Sequence, residues 1–317
     1  FLNTPMFSGW NNIFKLAVTG LLIFLLGSQI AKHQSNLLAL KEISTGQFFL
    51  IAVIVIASLL INGSKLNILA GSYSIQLKPR EIIGLSSITT SLNNFFFKAG
   101  SLFTSNYLKQ RHEFPFMSFA GTQGADHLIL FLINALCGLT ISLALVFEQK
   151  EIFFPLVICY FSAAVFLILV FSKTFNIQHR SNKFLNTLIR AINSLYLILK
   201  NKKLLCLLCA HNLLLVGLSA LRLILVCNVL NIEISFGYCL LFITLTPVIS
   251  AIPIIHSDLG TRELAIGMYS QWLGMGFQAG MLATLLDRCF VMLWAILISL
   301  YYSNLFFSTK AAHIPKS

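Results

Sequence analysis

Residues 251–263 read Ala251-Ile-Pro-Ile-Ile-His-Ser-Asp-Leu-Gly-Thr-Arg-Glu263 and interrupt a sequence that is otherwise almost wholly apolar. Proline and glycine break helices, and four side chains of this segment are charged or titratable. A charge within hydrocarbon costs roughly 2.5 to 3.5 kcal/mol on insertion scales, so such charges usually have a function. We therefore take Asp258, Arg262 and Glu263 as candidate substrate-binding residues.

The composition of the chain is that of a membrane protein. Hydrophobic residues make up 57% of the 317 residues, charged residues 10%, and the mean hydropathy is +0.84. Several apolar runs exceed the roughly 18 residues that indicate a membrane span. Spans and short connections use the whole length, which leaves no room for a soluble catalytic domain, and we expect no enzymatic activity.

The apolar runs predict an all-α polytopic membrane protein with six spanning helices. Two further segments are broken in the middle, one at Asn93 to Gly100 and the other at Pro253 to Gly260. The predicted spans cover residues 13–30, 47–69, 118–147, 152–171, 204–230 and 277–307, and the broken segments cover residues 82–110 and 236–274.

The positive charges predict the orientation of the chain, since cytoplasmic loops are enriched in Lys and Arg. Lys65 lies at the end of the second predicted span, Lys78 and Arg80 follow it, and seven cations without an acid lie in residues 173–203. Both regions are therefore expected in the cytoplasm, together with the two termini. The broken segments must then return to the side they start from, and they become two oppositely oriented re-entrant hairpins.

The two hairpins also match in sequence. Lys98-Ala-Gly100 and Asp258-Leu-Gly260 are 160 residues apart, and the same offset brings Asp126 within one position of Asp287. Three predicted spans separate the two glycines, and an odd number inverts the topology. We therefore predict an inverted repeat with discontinuous helices, an architecture typical of secondary transporters. Chance similarity is the alternative, because the identities are few.

We expect a single transmembrane domain over residues 1–317. Its halves cover about residues 1–171 and 204–317, and residues 172–203 form a basic cytoplasmic linker. Residues 182–200 mix apolar and basic positions at helical spacing, which suits a helix in the membrane interface. In a membrane protein, such a basic segment indicates contact with anionic lipid, so we expect no nucleic acid as a partner.

Further charged or amide side chains inside apolar segments complete the candidate substrate site. In the first half they are Lys98, Asn94 and Asp126, and in the second half they are Arg222, Asp287 and Arg288. Each has a structural alternative: the acids cap helices or pair with arginines, and Arg222 or Asp126 extends to the membrane surface. If functional, the arginines bind an anionic group, and the acids balance charge or carry a proton.

No motif indicates a metal, cofactor or nucleophile site. The seven cysteines lie almost entirely in apolar runs, where packing is the expected role. His211 and His256 stand alone, and neither a Gly-rich phosphate loop nor a Ser/His/Asp pattern is present. We expect neither a metal nor a cofactor.

The second half contains Ile252-Pro253, Leu259-Gly260-Thr-Arg262-Glu263, Gly274 and Asp287-Arg288. In this pattern it resembles the flippase-like integral membrane family that includes the transmembrane region of lysylphosphatidylglycerol synthases. In the first half, Leu92-Asn93, Lys98-Ala-Gly100, Leu108 and Asp126 are similar to the family's counterpart pattern. Here Lys98 and Gln123 stand where that pattern has arginine, and His256-Ser-Asp258 stands where it has glycines.

The resemblance implies movement of an anionic or polar-headed lipid, or a lipid-linked intermediate, between membrane leaflets. A non-transporting scaffold for an envelope-lipid or glycan assembly enzyme is the alternative. The aminoacyl-transferase domain that some relatives carry has no counterpart here, so aminoacylation by this chain alone is not expected. We expect membrane lipids as partners, with a homo-oligomer or an envelope-biosynthesis enzyme as further candidates, and a bacterial cytoplasmic membrane as the location.

Overall fold

A computed structural model describes residues 43–95, 98–148, 153–172, 183–251 and 260–307 of the chain. Within these ranges the chain forms ten α-helices and no β-strand. The helices are α1 Thr45–Gly71, α2 Pro79–Phe95, α3 Ala99–His112, α4 Phe116–Phe147, α5 Phe154–Ser172, α6 Lys183–Lys200, α7 Lys202–Val229, α8 Phe236–Ala251, α9 Thr261–Trp272 and α10 Phe277–Phe307.

Five of these helices are long and apolar enough to cross a membrane. They are α1, α4, α5, α7 and the part of α10 that covers Phe277–Ser303. Each coincides with a predicted span, whereas the predicted span at residues 13–30 lies outside the described residues. The prediction of an all-α polytopic membrane protein is therefore confirmed.

Local sequence explains where two of the long helices begin. The Ser44 hydroxyl accepts a hydrogen bond from the Gln47 amide at 3.2 Å, and the Gln47 side chain accepts one from the Ser44 amide at 3.1 Å. At the start of α7, the Asn201 side chain accepts hydrogen bonds from the amides of Lys203 and Leu204. These caps satisfy amide donors that no helical carbonyl can reach.

The first broken segment forms two helices, α2 and α3, that pack against each other. The Thr89 and Thr104 hydroxyls are hydrogen-bonded, and the Asn93 side chain accepts a hydrogen bond from the Gly100 amide at 2.9 Å. A Cβ atom at Gly100 would lie 2.1 Å from the Thr89 carbonyl oxygen, so this approach requires glycine. Lys98 lies directly before α3 with φ of 55°.

The second broken segment forms α8 and α9, which also contact each other. The rings of Phe242 and Tyr269 meet edge to face with centroids 5.6 Å apart, and Tyr269 stacks on Trp272. The Phe153 ring joins the same aromatic group by contacting the rings of Tyr238 and Trp272. The connection between the two helices, residues 252–259, lies outside the described residues.

The predicted interfacial helix is α6, and one of its faces packs onto the bundle. Ile198 is buried in an apolar cluster with Ala125 and Ile129 of α4. The Tyr73 hydroxyl also donates a hydrogen bond to the Ser194 hydroxyl at 2.6 Å. This helix therefore connects the α1–α2 loop to α4.

The main apolar core lies among α1, α7, α8 and α10. Val55, Val216 and Phe242 are almost fully buried there. In contrast, α5 exposes Phe161 and Phe166 over more than half of their surface. Large exposed rings on a long apolar helix are expected of a surface that faces lipid.

Lys65 differs from the sequence-based expectation. It was counted as a cation of the cytoplasmic loop, but it lies inside α1 and is buried. The cations that follow α1 are therefore Lys78 and Arg80, which are both exposed.

Candidate functional site

Asp287 is the centre of a buried group of ion pairs. Its carboxylate accepts two hydrogen bonds from the Arg222 guanidinium, one of them from Nη2 at 3.1 Å. Arg262 lies beside the same carboxylate, with Nη2 at 3.7 Å from Oδ2. Asp287 is fully buried. Since Arg222 lies on α7 and Arg262 on α9, three helices meet at this one carboxylate of α10, which two arginines share.

Glu263 connects the start of α9 to Arg288 of α10, and Arg288 in turn contacts the first broken segment. Its Oε2 accepts a hydrogen bond from the Gly260 amide at 2.8 Å, and its Oε1 accepts one from Nη1 of Arg288 at 3.0 Å. Gly260 has φ of 92°, a conformation that favours glycine. Arg288 Nε also donates to Asn94 Oδ1 at 3.2 Å, and Asn94 lies in the last turn of α2. The two broken segments therefore meet at Arg288.

These side chains form what we call the arginine cluster, in which cations outnumber acids. The cluster consists of Arg222, Arg262, Arg288, Asp287 and Glu263, so three guanidinium groups face two carboxylates. The Arg262 side chain is 22% exposed, whereas those of Arg222 and Arg288 are almost fully buried. Arg262 Nε is buried and has no hydrogen-bond partner among the described residues. The positive charge in excess is therefore assigned to Arg262, the arginine of the cluster that a ligand can reach most easily.

A second buried group, which we call the lysine cluster, joins α1, α4 and α7. Lys65 Nζ donates to Asp126 Oδ2 and to Asn212 Oδ1, both at 2.8 Å. Asn212 Nδ2 donates to Asp126 Oδ1 at 3.0 Å. Asn212 is fully buried, and Lys65 and Asp126 are less than a tenth exposed. The three side chains therefore satisfy one another within the bundle.

A cavity of about 250 Å³, which we call the smaller cavity, connects the two clusters. Asn212 and Arg222 are ten residues apart on α7, which corresponds to about 15 Å along the helix axis. The polar residues around this smaller cavity include Lys65, Arg222, Asn62, Asn134, Asn212 and Thr246. A cavity of this volume with this lining can hold several water molecules.

A larger cavity of about 660 Å³ lies beside the smaller one. Its cations are Lys98, before α3, and Arg262, in the first turn of α9. Phe116, Phe119 and Phe131 of α4 supply apolar wall, and no carboxylate is among the described residues that line it. Further polar groups come from Asn93, Ser101, Gln123 and His127, and the two cavities share Leu130, Thr246 and Pro247.

The structure brings most of the predicted site residues together. Six of them, Asn94, Arg222, Arg262, Glu263, Asp287 and Arg288, meet in or beside the arginine cluster. Lys98 shares the larger cavity with Arg262, and Asp126 lies in the lysine cluster. Asp258 lies outside the described residues.

Three pairings distinguish between the alternatives that the sequence leaves open. Glu263 binds Arg288 and not its neighbour Arg262. Arg222 is buried against Asp287 and does not extend to the membrane surface. Asp126 is likewise paired within the bundle, with Lys65.

Lys65 and Asn212 were missed. An asparagine among leucines carries little signal by itself. The signal that could have indicated Lys65 is its position within the predicted span of residues 47–69, where a charge is costly.

Metal ligation has no support in the part of the chain that the structure describes. No group of three or more His, Cys, Asp or Glu side chains is placed there to hold a metal ion. The three carboxylates of the two clusters each pair with Lys or Arg. The chemistry that the two clusters offer is therefore the binding of anions and the transfer of protons.

Comparison with known protein families shows which family the chain is similar to. The model of the family described as lysylphosphatidylglycerol synthase TM region matches residues 12–299. No curated protein and no solved structure matches the chain. The match covers both cavities and both clusters.

Proposed function

Because the chain belongs to the lysylphosphatidylglycerol synthase TM region family, we propose that it moves a lipid or lipid-linked intermediate with an anionic head group between membrane leaflets. The larger cavity binds the head group, and the acyl chains stay in the bilayer. In this proposal the protein is a transporter that catalyses no covalent reaction.

The lining of the larger cavity is the observation that carries this proposal. Lys98 and Arg262 come from the two broken segments and face one space, with no carboxylate among its described lining residues. A phosphate group fits this arrangement, because a guanidinium can offer two parallel hydrogen bonds and an ammonium adds a second charge. The phenylalanines of α4 give the cavity an apolar side suited to the first part of an acyl chain.

The charge count supports an anion in preference to a cationic or zwitterionic group. The arginine cluster has one guanidinium in excess, and Arg262 Nε has no partner among the described residues. A buried donor without an acceptor is destabilising, so an anion at this position both pairs the charge and satisfies the donor.

The polar lining of the cavities favours transport over the scaffold alternative. A scaffold needs the hairpin tips only to pack, whereas a transporter needs a solvated path. The two cavities share a wall at Thr246 and Pro247, and both contain charged side chains. Non-helical backbone within a bilayer is tolerated where it lines such a cavity.

We also propose the finer architecture of six spans with two re-entrant hairpins in an inverted repeat. The contact between Asn94, beside the first break, and Arg288 supports it, as does Glu263 at the start of α9. With residues 173–203 in the cytoplasm, α2 and α3 enter from that side, and α8 and α9 enter from the opposite side. The membrane of this proposal is the bacterial cytoplasmic membrane, with both termini inside.

Leaflet exchange in reconstituted vesicles tests the proposal. The purified chain is incorporated into liposomes that contain phosphatidylglycerol with a fluorescent acyl chain, and dithionite is added outside to bleach the outer leaflet. We expect a second bleaching phase as inner-leaflet lipid reaches the outside, and we expect it to be slower for labelled phosphatidylcholine. Exchange no faster than in empty liposomes, for several anionic head groups, would contradict the proposal.

A further inference from the structure

The lysine cluster has a charge arrangement that the proposed function does not use. Lys65, Asp126 and Asn212 lie on three membrane-spanning helices and are buried. A buried carboxylate is stable as an anion only while its cation stays beside it. Any event that moves Lys65 away therefore leaves Asp126 to take up a proton.

An anion bound in the smaller cavity would attract Lys65 away from Asp126. Lys65 and Arg222 both line it, so an anion there meets two cations from opposite ends. The lysine side chain has four flexible methylene groups and carries a compact charge that can be redirected. Arg222 makes both of its hydrogen bonds to the Asp287 carboxylate, whereas Lys65 makes one to the Asp126 carboxylate and the other to the neutral Asn212 amide.

Asn212 can stabilise Asp126 after Lys65 has left. It now donates from Nδ2 to Asp126 Oδ1 and accepts at Oδ1 from Lys65. When Lys65 leaves, Asn212 Oδ1 is available as an acceptor for a proton on Asp126 Oδ2. The carboxylic acid and the amide then form two hydrogen bonds with each other, and neither is left unsatisfied.

We propose that the lysine cluster is a proton-coupling site. An anionic head group that passes from the larger cavity into the adjoining smaller one takes Lys65 from Asp126, and Asp126 then takes up one proton from the aqueous phase to which the cavity is open. When the head group leaves, Lys65 returns and the proton goes back to water on the side to which the cavity is then open. This inference rests on the proposed function and adds its energy source: a monoanionic lipid and a proton move together, with no net charge.

The other titratable and charged groups around Asp126 do not replace it in this role. His211 is one position from Asn212, and its ring binds the Ser64 hydroxyl and the Leu207 carbonyl. His127 is exposed on α4 and binds the Gln123 carbonyl. Among the described residues of α6, the helix packed on α4, Arg190 and Lys200 are exposed. Arg222 lies at the far end of the smaller cavity.

A pH gradient across proteoliposomes tests the coupling. Labelled phosphatidylglycerol is allowed to reach a steady distribution with the lumen one pH unit more alkaline than the outside. One proton per lipid predicts enrichment of the label in the inner leaflet by up to about tenfold. A potassium diffusion potential at equal pH should leave the distribution even, because the complex carries no net charge.

Asp126→Asn keeps the shape and the hydrogen bond to Asn212 but cannot bind the proton. Its steady distribution should stay even under the pH gradient, whereas Glu233→Gln, at an exposed acid between α7 and α8, should show the wild-type enrichment. If the wild-type protein exchanges lipid but its distribution ignores the gradient, or if Asp126→Asn responds like the wild type, the coupling is wrong and transport stands. If the wild type exchanges no lipid, both proposals fail.

Infrared difference spectroscopy measures the protonation without transport. Addition of dihexanoyl phosphatidylglycerol to the purified protein should produce a protonated-carboxyl band that is absent in Asp126→Asn and present in Glu233→Gln. Inorganic phosphate at the same concentration separates lipid binding from simple anion binding, and a band produced equally by phosphate would overturn lipid coupling. Absence of the band in the wild type at saturating lipid would overturn the proposal, whatever the variants show.

Discussion

At the scale of single residues, the buried charges stabilise the protein only as complete groups. Asp287 is shared by Arg222 and Arg262, and Glu263 pairs with Arg288. A buried pair contributes little beyond what apolar residues of the same size would give, but a broken pair leaves an uncompensated charge. The arrangement therefore makes each acid sensitive to substitution, whatever its part in transport.

Glu263→Gln should destabilise the protein by about 3 to 5 kcal/mol, the usual cost of removing one partner of a buried pair. Glutamine can still accept the hydrogen bond from the Gly260 amide, so the loss reports the missing charge beside Arg288. Thermal unfolding in detergent measures it, with Glu233→Gln as the exposed control. The double variant Glu263→Gln/Arg288→Met should recover much of the loss, and a single variant as stable as the wild type would contradict the assignment.

Glu81, at the start of α2, makes stability depend on pH. Burial raises the pKa of its carboxyl, but hydrogen bonds from Tyr107 and the Lys78 amide, with the charges of His112 and Arg111, outweigh burial and lower it. A lowered pKa in the folded state gives stability that is present above the unfolded pKa and is lost as pH falls through the folded value.

The wild type should therefore lose more stability than Glu81→Gln when the pH is lowered from 6 to below about 4, near the reference pKa of glutamate. Thermal unfolding at a series of pH values gives the comparison. Parallel curves for the two proteins would show that the folded-state pKa of Glu81 is not lowered.

Sequence reasoning found most of the arginine cluster from one physical rule, the cost of a charge in an apolar segment. Arg222, Asp287 and Arg288 stand out because leucine and other apolar residues surround them. The rule could not predict which of these side chains pair, since the paired residues are 25 or more positions apart in sequence. The rule was not applied to Lys65, because this residue lies near the end of the predicted span 47–69 and its charge was counted with those of the following loop.

At the scale of elements, the two broken segments are the feature that sequence predicted best. Polar and small residues in the first segment interrupted apolar periodicity, and the chain forms α2 and α3 around that break. The second break, expected from Pro253 to Gly260, is followed by α9 at Thr261. The contact of Asn94 with Arg288 could not be predicted, because it joins residues 194 positions apart.

Gly100→Ala should disrupt the packing of α3 against α2. The added Cβ would lie 2.1 Å from the Thr89 carbonyl oxygen, which is backbone and cannot move aside without displacing the helix. Gly217→Ala is the matched control, because a Cβ there meets nothing within 4 Å and alanine favours the helix. We expect a lower melting temperature for Gly100→Ala alone, and equal melting temperatures for both variants would contradict the close approach.

At the scale of the whole molecule, the two clusters bind the halves of the chain together. The lysine cluster joins α1 and α4 to α7, and the arginine cluster, through Asn94, joins α2 to α9 and α10. Composition and charge predicted the class of protein and its long helices. The two cavities could not be predicted, since their walls come from distant parts of the sequence.

The predicted orientation places the α1–α2 and α7–α8 loops on opposite sides of the membrane, since three spans, α4, α5 and α7, lie between them and an odd number of spans reverses the side. In a background without native cysteines, Lys78→Cys should react with an impermeant maleimide only from the cytoplasmic side. Glu233→Cys should react only from the outer side. Both native residues are exposed, so access is expected at each position. Labelling of both positions from the same side would contradict the topology.

The most direct test of the central claim is leaflet exchange of labelled phosphatidylglycerol by Arg262→Gln. Arg262 is the cluster arginine that lines the larger cavity, and the matched control is Arg190→Gln, at an exposed position of α6. Loss of one charge-assisted hydrogen bond to phosphate should slow exchange roughly tenfold. We predict this loss for Arg262→Gln at an unchanged melting temperature, with exchange by Arg190→Gln as fast as by the wild type. Wild-type exchange rates for a folded Arg262→Gln protein would contradict a cation-lined cavity as the path of an anionic lipid.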